Sequence, residues 1–282
     1  MRMEVTNFAQ VIFNPVAQAK FVHTISAGYV TGAIFVLAIS SYYLLRGRNI
    51  EFAKRSFTVA VSFGLASALS VVVLGDESGY LATANQHMKV AAIEGMWKTE
   101  KAPASFNLFG IPDQKDHVTR YAIKIPYVLG LITTRSIHDK LPGINELVKE
   151  AKPRIRNGMK AYAALQVLEK KPNDTAAKAQ LQKYSKDLGY GLLLKRYIAN
   201  PAKATPAEID KAAWSLVPGS VASLFWAFRI MVLCGFFFIA LFTIGFLLSA
   251  RRDMLKTWYL RLALWSLPLP WIASEVGWYV AE

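Results

Sequence analysis

The sequence predicts an all-α integral membrane protein with four transmembrane helices and a large external helical loop domain. Three observations predict it. The 282-residue chain is 54% hydrophobic yet has a formal net charge of +14. A soluble nucleic-acid binder would not be so apolar, whereas a membrane protein with basic loops is both at once; membrane lipid is the expected partner and nucleic acid is not. Crossing the hydrocarbon takes about 20 mostly apolar residues, and four stretches reach that length. Between the second and the third lie residues 76–220, too long a segment to be a bare linker.

The first stretch follows Asn14-Pro15 and runs through Phe21 to Leu45, the second covers Ser56 to Leu74, and the third Val221 to Leu248. The fourth runs from Trp258 to Val280, and Pro268 and Pro270 predict a kink in it. The expected division is 1–75 for helices one and two, 76–220 for the loop domain and 221–282 for helices three and four. Arg46, Arg48, Lys54 and Arg55 in one short connection, and Arg251, Arg252 and Lys256 in the other, assign both to the cytoplasmic side. The long segment then lies outside. No cleavable signal peptide is expected, because Arg2, Glu4 and Asn7 precede an apolar stretch too long for a signal core. The single cysteine, Cys234, excludes an intramolecular disulfide framework and reads as a small packing residue. The small residues Gly64, Ala66, Ser67, Ala68 and Ser70, and likewise Gly28 and Gly32, read as close helix packing.

Helical signals recur in the long segment. Thr205-Pro206-Ala207-Glu208 is a capping box with proline at the first helical position. Leu147 to Leu168 and Ala176 to Ile198 have helical apolar spacing, and a further helical stretch contains Lys89 and Glu94. Tyr127 to Thr134 is apolar but too short to span. Gly75-Asp76-Glu77-Ser78-Gly79-Tyr80, glycines flanking acids at the membrane exit, suits a turn.

Ionisable groups inside spans are costly and mark function. His23 lies in span one, Arg229 in span three and Glu275 in span four, with Glu282 at its exit. His23 is eight residues past Pro15 and Met231 ten past Val221, which at 1.5 Å per residue puts both roughly 12 to 15 Å down their parallel helices. Two readings stand at this point: axial ligation of a haem iron between a histidine and a methionine, or an interhelical hydrogen bond beside an ordinary packing methionine. Arg229, about 200° round the helix from Met231, must curl to reach the same ligand. Glu275, Trp278 and Glu282 share one face by their spacings of three and four. Lys89 and Glu94, about 140° apart on a helix, are not placed together by pattern, and Glu94 with Lys98 reads as a solvated surface pair.

The chain resembles cytochrome bd quinol oxidase subunit I in Lys20-Phe21-Val22-His23-Thr24, Gly28-Tyr29-Val30-Thr31-Gly32, Ala53-Lys54-Arg55-Ser56-Phe57 and Leu74-Gly75-Asp76-Glu77-Ser78-Gly79-Tyr80. The likeness continues through Phe109-Gly110-Ile111-Pro112-Asp113, Arg156-Asn157-Gly158-Met159-Lys160-Ala161-Tyr162, Ala227-Phe228-Arg229-Ile230-Met231, Pro268-Leu269-Pro270-Trp271-Ile272 and Glu275-Val276-Gly277-Trp278. The resemblance implies that His23 and Met231 ligate a low-spin haem b with Arg229 beside it. It implies that Glu282 ligates a high-spin haem b near Trp278. Lys89 and Glu94 are implied to bind quinol, and Asp76 to Tyr80 to begin the quinol loop, here of the long type. The implied activity is quinol oxidation coupled to reduction of dioxygen to water, in a bacterial inner membrane with the large loop periplasmic. Implied partners are an oxidase subunit II and a small accessory subunit. The family's first four spans, which bear the haem d histidine, and its tail after Glu282 have no counterpart here. The haem d site is therefore expected to be incomplete and the chain alone not competent for dioxygen reduction. Two other classes remain: a transporter or structural membrane subunit, which tolerates His23→Ala, and a membrane cytochrome b electron carrier, which makes Glu282 dispensable.

Overall fold

The computed structural model describes residue 5, residues 7–136 and residues 138–282. Its α-helices are α1 (Phe8–Ile12), α2 (Pro15–Leu45), α3 (Ile50–Asn85) and α4 (His87–Ile93), followed by strands β1 (Phe106–Asp113) and β2 (Val118–Ile125). Then come α5 (Val128–Thr133), α6 (Ile144–Lys170), α7 (Thr175–Tyr184), α8 (Leu188–Leu192), α9 (Pro206–Trp214), α10 (Val221–Ala250), α11 (Thr257–Trp265) and α12 (Leu269–Ala281). The chain is mostly helical, which corrects the all-α expectation by one antiparallel hairpin, with Phe106 opposite Ile125 and Asp113 opposite Val118. Two compact units form. One holds the described residues up to Asn85 with Ile132–Arg135 and Ser223–Glu282; the other holds Gln86–Leu131 and Ser136–Ala222.

In the first unit α2, α3 and α10 are long and apolar enough to cross a membrane. Asn14 caps α2 by accepting from the Val16 and Ala17 amides, with Pro15 in the first turn where its missing N–H costs nothing. Ile34, Leu37, Phe57, Val61, Phe242 and Tyr259 build the core between helices, and Cys234 packs into it as expected. The Tyr259 hydroxyl, buried among these, donates to the Leu241 carbonyl at 2.9 Å. Gly64 gives room to the Phe242 ring, whose Cδ1 would stand 2.7 Å from any added Cβ. Gly28 and Gly32 do not pack this way: nothing lies within 4 Å of a Cβ at either. They are exposed, while α2 turns Val30, Ala33, Ile34 and Leu37 to its neighbours. Ala66 and Ser70 likewise face outward, and Ser70 bonds its own helix at the Ala66 carbonyl.

One sequence expectation changes here and another holds. Gly75 to Tyr80 is not a turn; α3 carries on helically to Asn85, with Ser78 donating to Leu74 and Thr83 to Gly79 inside the helix. The fourth apolar stretch is broken at its proline pair, as expected. Pro268 and Pro270 supply no N–H to the preceding turn, so α11 ends at Trp265 and α12 begins at Leu269.

In the second unit the capping box of α9 forms as predicted, Thr205 and Glu208 satisfying each other's backbone N–H. The helix expected over 176–198 breaks after Tyr184 into 3₁₀ turns and the short α8. It breaks where Gly191 crosses Gly158 of α6 backbone to backbone: a Cβ on Gly158 would meet Gly191 Cα at 2.7 Å. Beside this crossing Arg154 Nε donates to Asp187 at 2.8 Å and Asn157 to the same carboxylate at 3.0 Å. Partial burial raises the Asp187 pKa, but the bonds from Arg154 and Asn157 outweigh it and hold the carboxyl below its ordinary range. Asp113, through the Asp116 amide, and Glu208, through the Thr205 amide, are lowered as well. A lowered carboxyl stabilises the fold in full above its unfolded pKa and loses that contribution as pH falls through the folded value. The tertiary near-ultraviolet signal of this unit is therefore expected to hold through neutral pH and to fall below about pH 4, with Asp187→Asn less stable at pH 7 and less acid-sensitive.

Candidate functional site

Within the first unit His23 lies on α2, half-buried, and its Nδ1 is fully buried with no hydrogen-bond partner among the described residues. Gly75 of α3 lies against the ring: a Cβ there would stand 3.4 Å from His23 Cε1. Gly277 of α12 does the same for Met231 of α10, leaving 2.9 Å between a would-be Cβ and Sδ. The sequence reading missed this pairing of each candidate ligand with a glycine from another helix. A half-buried imidazole and a thioether, each approached by bare backbone, fit a flat iron macrocycle as nitrogen and sulfur donors.

Arg229 is buried and curls back one turn. Its Nη1 donates to the Phe225 carbonyl at 2.9 Å, and its guanidinium lies 3.3 Å from the Phe225 ring centroid. Glu275, Trp278 and Glu282 are exposed on α12, Trp278 by 64%. Glu282 forms the helix C-terminus, its amide donating to the Trp278 carbonyl at 3.0 Å.

At the far end of α3 the acids cluster around a cation absent from the candidate residues. Arg135 pairs with Glu77, lies 3.8 Å from Asp76 and stacks 4.3 Å over the Tyr80 ring. Nothing in spacing could find it, since Arg135 is 55 residues beyond Tyr80.

In the second unit Lys89 is on α4, and Glu94 is its C-cap. Gly95 adopts φ +59°, so Met96 N–H bonds the Ala91 carbonyl and Gly95 N–H the Ala92 carbonyl, closing the helix in a Schellman turn. Glu94 is only 3% exposed, while Lys98 is exposed. The solvated surface pair is thus overturned: Glu94 is an interior carboxyl, and a buried carboxyl requires a specific environment.

The family model for cytochrome bd terminal oxidase subunit I matches residues 1–282. The chain is 42% identical over 283 residues to the cytochrome bd-II ubiquinol oxidase subunit 1 of Escherichia coli (strain K12), covering 100% of this chain and 55% of that one. It is 27% identical over 282 residues to the cytochrome bd ubiquinol oxidase subunit 1 of Bacillus subtilis (strain 168), covering 100% and 48%. Its fold matches the bd oxidase structure from Geobacillus thermodenitrificans with a TM-score of 0.66 at 20% identity, over 98% of this chain and 48% of that one. The chain spans about half the length of the curated relatives it matches.

Proposed function

The chain belongs to the cytochrome bd terminal oxidase subunit I family, and from that membership we propose that it is the haem-binding, quinol-oxidising portion of a respiratory quinol:dioxygen oxidoreductase. The observation that carries the proposal is the buried imidazole nitrogen of His23, without a hydrogen-bond partner among the described residues, in an apolar helix beside Gly75. A buried polar atom without a partner is costly, and in a membrane helix it marks function.

His23 and Met231 would hold a low-spin haem b, and Arg229, a buried cation, would balance its carboxylates. Glu282 would ligate a high-spin haem b with Trp278 alongside; haem d belongs to the whole oxidase. When bound, a haem supplies the one-electron acceptor and relay that no side chain here provides. Glu94 accepts a quinol hydroxyl proton, and Lys89 donates a hydrogen bond to the quinol oxygen. The quinol loses its two hydroxyl protons and an electron pair and leaves as quinone. Its protons go to the periplasm, and the electrons serve reduction of dioxygen to water in the assembled oxidase. This orientation, in a bacterial inner membrane, is supported by the basic connections after α2 and α10, since short loops rich in Lys and Arg favour the cytoplasmic side. In this arrangement α11 and α12 together make the fourth crossing. Subunit II and a small accessory subunit complete the complex.

Removing the Glu94 base is expected to slow quinol oxidation about a hundredfold. In the assembled oxidase Glu94→Gln should lower the quinol-dependent rate by that much without altering the haem spectrum. A Glu94→Gln rate equal to the parent's would remove Glu94 from the site.

A further inference from the structure

Four consecutive carbonyls beginning at Glu94 are each held by a separate group. Asn107 Nδ2 of β1 donates to the Glu94 carbonyl at 2.7 Å, and Thr119 Oγ1 of β2 donates to Gly95 at 2.6 Å. The Ile144 and Asn145 amides at the start of α6 donate to Met96 at 2.9 Å and Trp97 at 3.1 Å. Asn107 is buried, so its amide is committed rather than shared with water. The hairpin that brings Asn107 and Thr119 is itself fastened at its tip. His117, at φ +53°, lies between two indoles, 5.0 Å from the Trp97 centroid at 10° and 4.6 Å from that of Trp214 at 29°. Gln114 next to it accepts from the Val221 amide at 3.2 Å.

A Schellman turn alone leaves the C-cap carbonyl unbonded within the helix. Side chains on a rigid hairpin have taken up that carbonyl and the next one. The chain here follows a short helix of only seven residues, which by itself would fray. Bonds to both strands and to α6 fix the backbone that carries the Glu94 side chain, and such support is what a site held to within about 0.5 Å requires.

We propose that Asn107 and Thr119, steadied by the His117 stack, are positioning residues that preorganise Glu94 for quinol; this rests on the quinol-binding reading of Glu94. Neither touches the substrate: they act through the backbone at Glu94 and Gly95. Asn107→Asp keeps the shape and replaces the donor with an acceptor facing a carbonyl. Thr119→Val removes the hydroxyl, and Thr119→Ser keeps it.

The test uses the full chain in nanodiscs, with decylubiquinone as the probe and hydrogen exchange of residues 94–97 as a second readout. Asn107→Asp and Thr119→Val are expected to weaken decylubiquinone binding about tenfold, the scale of one lost buried hydrogen bond. Exchange at 94–97 should speed up while α6 stays protected, and Thr119→Ser should restore binding. Parent-like binding by Asn107→Asp and Thr119→Val, alongside loss in Glu94→Gln, would overturn the positioning role and leave the quinol reading standing. Loss of protection along all of α6 would also overturn it, making the two residues general scaffold. Parent-like binding by Glu94→Gln would instead remove the quinol reading.

Discussion

His23→Ala is expected to abolish the low-spin haem b band in reduced-minus-oxidised spectra of membranes containing the chain, and Met231→Leu to abolish it too. The expectation follows from ligand chemistry: alanine offers no donor, and leucine replaces a thioether with a branched hydrocarbon of similar volume. Neither change should unfold the first unit. His23 is half-buried and lies outside the core built by Ile34, Leu37, Phe57, Phe242 and Tyr259. A leucine at 231 must accommodate the close approach of Gly277, so the protein level in the membrane is the control. If His23 only packed against α3, the spectrum would be indifferent to alanine.

The second large effect is structural. Alanine in place of a glycine inside a helix ordinarily stabilises it by about 1 kcal/mol. At Gly158 the sign should reverse. The added methyl would meet the backbone of Asp187 and Gly191, and backbone cannot rotate away as a side-chain tip can. Separating α6 from α8 would also pull Asp187 from Arg154 and Asn157. We expect Gly158→Ala to cost about 3 kcal/mol and Gly158→Val more, read as a lower urea midpoint and faster proteolysis of the second unit. A Gly158→Ala protein as stable as the parent would mean the two segments have room to part. The glycine in the Arg156-Asn157-Gly158-Met159-Lys160 stretch then has a physical reason: only a missing Cβ permits this crossing.

Much of the membrane unit was legible because long apolar runs are a composition signal that tertiary context does not reverse. The proline pair Pro268 and Pro270 announced the break in the fourth stretch, because neither has an amide to give to the preceding turn. The helical reach of α3 past Gly75 was hidden because polar residues at a membrane exit look like a turn, although backbone bonds continue beneath them. The hairpin was missed for a different reason. Phe106 to Ile111 is short and carries Gly110, and the signal that joins the strands is Asp113, which accepts from the Lys115 and Asp116 amides. Buried Glu94 and paired Arg135 lie beyond any local rule: Asn107, which bonds the Glu94 carbonyl, and Glu77 and Tyr80, which meet Arg135, come from elsewhere in the sequence.

The most direct test of the central claim is to add reduced quinol to the assembled oxidase under anaerobic conditions and follow the low-spin haem b band by stopped-flow absorbance. Parent and Glu94→Gln proteins should contain the same haem, with rapid reduction in the parent and reduction about a hundredfold slower in the variant. A low-spin haem that quinol reduces equally fast in both would contradict quinol entry at Glu94. A parent protein with no haem band dependent on His23 would contradict the account as a whole.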